Sequence, residues 1–161
     1  LKPAHALRHG GSILVLATPM TLRLEKFQQL YARYGEGAIP LPCPGLMELV
    51  EQEANEQARR YLLELLHPYD LRTVDAVVLG CTHYPFVRET IQKLLGAGVQ
   101  IFDGGAGTAR ETERRLKDCG LCSGRAQQGT VELCNSLASE QMKQLEIRLL
   151  QSGTVQAIIK K

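Results

Sequence analysis

The stretch Val74-Asp75-Ala76-Val77-Val78-Leu79-Gly80-Cys81-Thr82-His83-Tyr84-Pro85 decides how the rest of the chain is read. Its first six residues form a short run dominated by valine, alanine and leucine, the pattern of a strand buried on both faces. A thiol, a hydroxyl and an imidazole follow at once, and Pro85 suits the first turn of a helix. Open α/β sheets present their chemistry at the carboxyl ends of strands, which makes Cys81, Thr82 and His83 a candidate site.

Upstream, Ser12–Ala17 reads as a second buried strand between Gly10-Gly11 and Thr18-Pro19. Thr18 is placed to cap a helix and Pro19 to open it. Met20, Leu24, Phe27, Tyr31 and Tyr34 recur along it at helical spacing until Gly35 and Gly37. A shorter extended piece, Ala38–Leu41, runs into Pro42-Cys43-Pro44-Gly45. Leu46, Val50, Ala54, Ala58, Tyr61, Leu62 and Leu65 then predict one long helix, with Glu56 and Arg60 paired on its wet side and His67-Pro68 at its end. Downstream, a helix carries Phe86, Thr90, Ile91, Leu94 and Leu95. It is followed by a strand at Val99–Phe102, a helix at Thr108–Leu116, a strand at Thr130–Leu133, a helix at Ser136–Leu150 and a strand at Val155–Ile159. Strand and helix alternate throughout, so the fold class is α/β with an open, mainly parallel sheet flanked by helices.

Composition narrows the partners. With 161 residues, 44% hydrophobic and 22% charged, the chain has the make-up of an ordinary globular protein. A net charge of +2 with acids and bases interspersed gives no electrostatic footprint for nucleic acid or a membrane surface. The longest apolar runs are far too short to cross a bilayer, and no secretory signal follows Leu1-Lys2-Pro3. The first residue is Leu rather than Met, so further residues upstream are expected. Five scattered cysteines, at 43, 81, 119, 122 and 134, point to free thiols in a reducing compartment, with the cytoplasm as the default. The expected partner is a small molecule.

A thiol works as base or nucleophile only as thiolate, a form favoured near a helix amino terminus and hydrogen-bond donors. Position alone leaves Cys81 open between that role and a buried structural thiol. His83 gains interest from its company; His5, His9 and His67 have none and read as surface or boundary residues. Cys119-Gly120-Leu121-Cys122 with Cys134 lacks the fourth ligand of a structural zinc site, and it trails a helix rather than opening one, so neither metal nor redox chemistry is expected there. Asp103-Gly104-Gly105-Ala106-Gly107-Thr108 follows a strand and opens a helix, a setting for phosphate on backbone amides. Arg110, however, stands where a dinucleotide fingerprint needs its third small residue, which favours glycines that simply permit a tight turn. Glu111, Glu113, Arg114, Arg115 and Lys117 read as a solvated helix face.

Val78-Leu79-Gly80-Cys81-Thr82-His83-Tyr84-Pro85 resembles the second catalytic-cysteine motif of the bacterial glutamate racemases. Leu16-Ala17-Thr18-Pro19-Met20-Thr21 resembles the Ala-Thr-Pro-Gly-Thr turn of the same enzymes, with Met20 in place of glycine. Cys43-Pro44-Gly45-Leu46-Met47-Glu48-Leu49-Val50-Glu51 resembles their Cys-Pro segment ending in Leu-Val-Glu. The three stand in family order, and the resemblance covers nearly the whole chain, most firmly residues 10 to 118.

The resemblance implies a cofactor-independent, metal-free racemase of two similar α/β domains that holds glutamate between them. One cysteine from each domain faces the α-carbon: one thiolate removes the proton and the other thiol protonates the opposite face. It implies that Cys81 is the second of that pair, that Thr82 and His83 contact substrate or support proton transfer, and that Glu51 lies near the site. Thr18 and Thr21 become candidates for the cleft wall. The chemistry suits these residue types, because an amino-acid α-proton is weakly acidic and its removal needs aimed donors and exclusion of water. Thiols, in turn, can be tuned in opposite senses on the two faces.

Two family motifs are absent from these 161 residues: the Asp-Ser-Gly loop and the Cys-Asn-Thr motif with the first catalytic cysteine. By family architecture residues 1–98 form the second domain, and residues 99–161 return to complete the first. The chain alone is therefore expected not to racemise glutamate, and to self-associate through exposed sheet edges and apolar surface. The nearest rival is an aspartate or related amino-acid racemase; relatives acting on aspartate usually carry Glu where this chain has His83. A phosphate- or nucleotide-binding module using Gly104–Thr108, or a non-catalytic interaction fragment, are rivals of another kind.

Overall fold

A computed structural model describes residues 1–124, 130, 132–137 and 139–152. It divides into two compact units, Leu1–Gly104 and Gly105–Lys161.

The first unit is an α/β sandwich around a wholly parallel sheet. Its strands are β1 (Ser12–Ala17), β2 (Ala38–Pro42), β3 (Val74–Leu79) and β4 (Gln100–Phe102). They lie in the order β2-β1-β3-β4, with Leu16 opposite both Leu41 and Leu79, and Val78 opposite Phe102. Five residues of β1 and five of β3 are buried, as two covered sheet faces require. Alternation along the strands sends Leu14, Leu16, Val77, Leu79 and Ile101 to one face and Ile13, Val15, Ala76 and Val78 to the other. The first face is covered by α4 (Leu46–Glu51), α5 (Asn55–Leu66) and α6 (Arg88–Leu95) through Leu46, Val50, Leu62, Leu66 and Ile91. Ala4 of α1 (Lys2–Ala6), together with Phe27 and Tyr31 of α3 (Glu25–Tyr34), covers the second.

The chain leaves β1 for β2 on one side and then crosses to β3 on the other. The order therefore reverses between β1 and β3, and the crevice beyond the carboxyl ends of strands at such a reversal is where open α/β sheets bind ligands.

Both edges are guarded. β2 carries Pro40 and Pro42, which withhold donors and are tolerated at an edge, and β4 is only three residues long. The edge pairing expected to drive self-association thus has little to work with.

Two helices expected as continuous are broken. The segment after Thr18 forms α2 (Pro19–Arg23) and α3, with Leu24 extended between them, so that α3 is re-aimed to bring Phe27 and Tyr31 onto the sheet. The segment 46–65 is split by a C-cap: the Ala54 amide donates to the Leu49 carbonyl at 2.9 Å and the Glu53 amide to that of Val50 at 3.0 Å. Glu53 takes the left-handed position at φ +53, so the break has the hydrogen bonds of a Schellman motif without its usual glycine. After Cys81, a 3-10 turn (Tyr84–Val87) precedes α6, which starts at Arg88, so Pro85 opens that turn rather than the α-helix.

The sheet also takes in Gln100–Phe102, and the first unit runs to Gly104. In the second unit α7 (Gly105–Asp118) is longer at both ends than expected, and α8 (Glu140–Gln151) is capped by Ser139, whose hydroxyl accepts from the Met142 amide at 3.2 Å. Residues 130, 132 and 133 carry no strand, contrary to expectation, and the strand expected at 155–159 lies outside the described residues.

Candidate functional site

Three strand ends meet at the carboxyl edge of the sheet. Each is tied to its neighbour after regular pairing stops: the Cys43 amide donates to the Ala17 carbonyl at 2.9 Å, and the Gly80 amide to the Leu16 carbonyl at 2.7 Å. These bonds bring the segments after β1, β2 and β3 alongside one another. Gly80 sits in tight space: a Cβ there would lie 3.0 Å from the Ala17 Cβ and 3.1 Å from the Leu16 carbonyl oxygen, so a side chain is admitted only if those neighbours give.

Cys81, Thr82 and His83 follow directly. The half-buried Cys81 thiol stands 3.7 Å from Nδ1 of His83, and Nε2 of His83 lies 3.0 Å from Oε1 of Glu51, at the end of α4. A carboxylate only accepts, so Nε2–H donates to Glu51. In the tautomer with its proton on Nε2, Nδ1 turns its lone pair toward the thiol. The line Cys81–His83–Glu51 can take a proton from sulfur onto Nδ1 and hold the resulting imidazolium against a carboxylate. Glu51 and His83 retain 43% and 26% of their side-chain exposure, so the line opens to solvent and to a ligand at the edge.

Thr18 and Thr21 form a second group beyond β1. The Thr18 hydroxyl caps α2 by accepting from the Thr21 amide at 3.1 Å, and the two hydroxyl oxygens lie 2.9 Å apart. Among the described residues no hydrogen bond joins this pair to the Cys81–His83–Glu51 line. Thr82 is exposed at the crest of the turn. The structure therefore joins three of the six expected site residues in one chain of contacts and pairs two others with each other.

Two residues escaped sequence reasoning. Tyr84 is wholly buried, and its hydroxyl donates to the Cys43 carbonyl at 3.2 Å. A buried tyrosine needs a partner for its hydroxyl, the one signal that could have marked it. Cys43 is itself 1% exposed, and burial pushes its thiol up to about 12, so a second sulfur beside the site stays protonated. Nearby, Arg88 braces the end of β4 by donating to Asp103 at 2.9 Å and to the Ile101 carbonyl at 2.6 Å.

The other sequence candidates gather no chemistry. His9 and His67 are exposed and His5 packs against Tyr34, ring centroids 5.9 Å apart. Cys119, Cys122 and Cys134 are exposed, and among the described residues no cluster of three or more His, Cys, Asp or Glu is placed to hold a metal ion. A Cβ at Gly107 would meet nothing within 4 Å, so no close backbone approach explains that glycine. No helix among the described residues is long and apolar enough to cross a membrane.

Residues 3–112 match the model of the family described as Asp/Glu/Hydantoin racemase. Curated relatives include a glutamate racemase of Clostridium perfringens, 43% identical over 155 residues that span 94% of this chain and 60% of the relative. Another, from Clostridium kluyveri, is 42% identical over 153 residues, spanning 93% of this chain and 60% of the relative. The chain thus spans about 60% of the length of the curated relatives it matches. Among solved structures, an Escherichia coli glutamate racemase in complex with L-glutamate and the activator UDP-MurNAc-ala has a TM-score of 0.70 at 28% identity, covering 94% of this chain and 58% of that one. A glutamate racemase isoform of Bacillus anthracis has a TM-score of 0.62 at 27% identity, covering 76% and 48%.

Proposed function

The chain belongs to the aspartate/glutamate/hydantoin racemase family, and on that premise we propose that it supplies one of the two proton-transfer faces of a glutamate racemase, with Cys81 as the acid/base thiol. The observation that carries this reading is the line from Cys81 through His83 to Glu51, 3.7 Å and 3.0 Å, at the strand-order reversal of a parallel sheet. In one direction the Cys81 thiolate takes the α-proton of glutamate: the C–H bond breaks, an S–H bond forms, and the electron pair passes to the α-carbon and its carboxylate. A thiol from the family's other domain then delivers a proton to the opposite face. In the reverse direction Cys81 is the donor.

His83 acts on the thiol from Nδ1, and Glu51 fixes its tautomer and orientation. Thr82, exposed beside the thiol, and Thr18 with Thr21 supply hydroxyls to bind the amino acid. The small-molecule partner is glutamate, and neither a cofactor nor a metal is used. The setting is the cytoplasm, where D-glutamate feeds peptidoglycan synthesis. In this reading residues 99–161 return to complete the first domain. His83, rather than a carboxylate, favours glutamate over aspartate.

The test joins these 161 residues to the amino-terminal segment of the Clostridium perfringens relative that this chain does not span. Interconversion of D- and L-glutamate is then followed with α-hydrogen exchange in D2O. The joined protein is expected to racemise glutamate and not aspartate, and Cys81→Ala to lower the rate by about 10³-fold or more, as loss of a positioned acid/base group does. The 161-residue chain alone is expected to leave either enantiomer unchanged. Full activity in the Cys81→Ala protein sinks the assignment of Cys81; racemisation by the chain alone sinks the need for a second face.

A further inference from the structure

Tyr84 lies one residue beyond His83 and has no atom at the surface. Its hydroxyl crosses from the turn after β3 to the Cys43 carbonyl in the segment after β2, residues 41 positions apart in sequence. Strand β1 lies between those two strands. The amide of Cys43 is bonded to β1 at Ala17, and that of Gly80 is bonded to β1 at Leu16. The phenol therefore closes a ring of contacts: β2 end to β1, β1 to β3 end, and β3 turn back to the β2 end. The same tyrosine tightens its own turn, its amide donating to the Cys81 carbonyl at 3.2 Å, while the Phe86 amide donates to that of His83 at 3.1 Å.

The two ends of this ring carry the two halves of the site. One end is the turn that presents Cys81 and His83. The other runs through Pro44-Gly45 into α4, which packs against the Tyr84–Val87 turn and carries Glu51. We propose that Tyr84 is a positioning residue for the proposed acid/base line, its hydroxyl holding the Cys43–Glu51 segment at the height where Glu51 reaches His83. The inference rests on the reading of Cys81, His83 and Glu51 given above. Burial drives the phenol well above its ordinary ionisation range, so it stays a neutral donor wherever the site works and adds no titration of its own.

The experiment measures the pH dependence of Cys81 alkylation by iodoacetamide in the full chain, with peptide mass mapping to separate Cys81 from the other four cysteines. Five proteins are compared: wild type, His83→Asn, Glu51→Gln, Tyr84→Phe and Leu62→Ala. Leu62 is a fully buried core residue on α5. Its truncation destabilises the fold at least as much as loss of one hydroxyl while leaving the phenol in place. The expected result is that His83→Asn and Glu51→Gln displace the profile. Tyr84→Phe should displace it in the same direction as Glu51→Gln, and Leu62→Ala should leave it on the wild-type curve. A Tyr84→Phe profile that coincides with wild type overturns the positioning role alone. An equal displacement by Leu62→Ala also overturns it, because the effect would then follow stability. Coincidence of His83→Asn with wild type defeats the acid/base line itself, and the role of Tyr84 with it.

Discussion

Cys43 and Cys81 stand at the same sheet edge and have different fates. Cys43 is closed off, its thiol directed at the Leu41 carbonyl 3.3 Å away and pushed up to about 12 by burial. Cys81 is half-buried with an imidazole nitrogen in reach. At a working pH of about 9, well below the Cys43 value, iodoacetamide should modify Cys81 and leave Cys43 unmodified in the folded chain. Cys43 should become reactive only when denaturant opens the core. Peptide mapping of the native and unfolded samples checks this, and stoichiometric modification of native Cys43 would contradict the packing described. At this scale Cys81, Thr82 and His83 were legible because they are contiguous, whereas the Glu51 contact was placed only by resemblance. Tyr84 was not legible as a site residue: its partner is a backbone carbonyl 41 residues away, and no side-chain pattern records that.

Among the elements, the four strands of the sheet were read well, whereas the strand expected at 130–133 and the continuity of two helices were not. β1 and β3 are apolar runs bounded by turn residues, a signal that burial on two faces makes unambiguous. The break between α4 and α5 has no glycine or proline to announce it, because Glu53 itself adopts the left-handed conformation. The helical period of 46–65 runs through the break undisturbed in sequence. A non-glycine residue at φ +53 is held at a cost of about 1 kcal/mol. Glu53→Gly should therefore raise the melting temperature and Glu53→Val lower it, an order that thermal unfolding of the three proteins can check.

In α7, Arg114 and Arg115 hold the Glu111 carboxyl down to about 2 from 4.5. A carboxylate depressed on folding stabilises fully above its unfolded value and loses that contribution as pH falls through the folded one. Acidification from 4.5 toward 2 should thus loosen α7, read as lower amide protection factors across Gly105–Asp118 once the intrinsic pH dependence of exchange is divided out. The change should be partial, since exposed pairs contribute little each.

For the whole molecule, the class of fold followed from the alternation of elements, but the strand order did not. That order is decided by which crossover packs on which face, and it is what puts Thr18 and Cys81 on the two sides of one reversal point. Self-association remains expected, through the apolar surface rather than the sheet edges. The edges are blunted by Pro40, Pro42 and the shortness of β4, whereas Met20 in α2 and Leu24 just after it are 70% and 51% exposed. Size-exclusion and sedimentation measurements should show concentration-dependent assembly of the chain, weakened in Met20→Ser/Leu24→Ser. A monomer at every concentration would count against it.

Gly80 bears on the order in which mutations can accumulate. Because a methyl at 80 meets the Ala17 methyl at 3.0 Å and the Leu16 carbonyl at 3.1 Å, substitution there is resisted by another strand rather than by its own backbone. Ala17→Gly removes the first contact and leaves the second, so it eases a change at 80 without freeing it. A library that randomises 80 is expected to return small residues over large ones, with alanine recovered more often in the Ala17→Gly background.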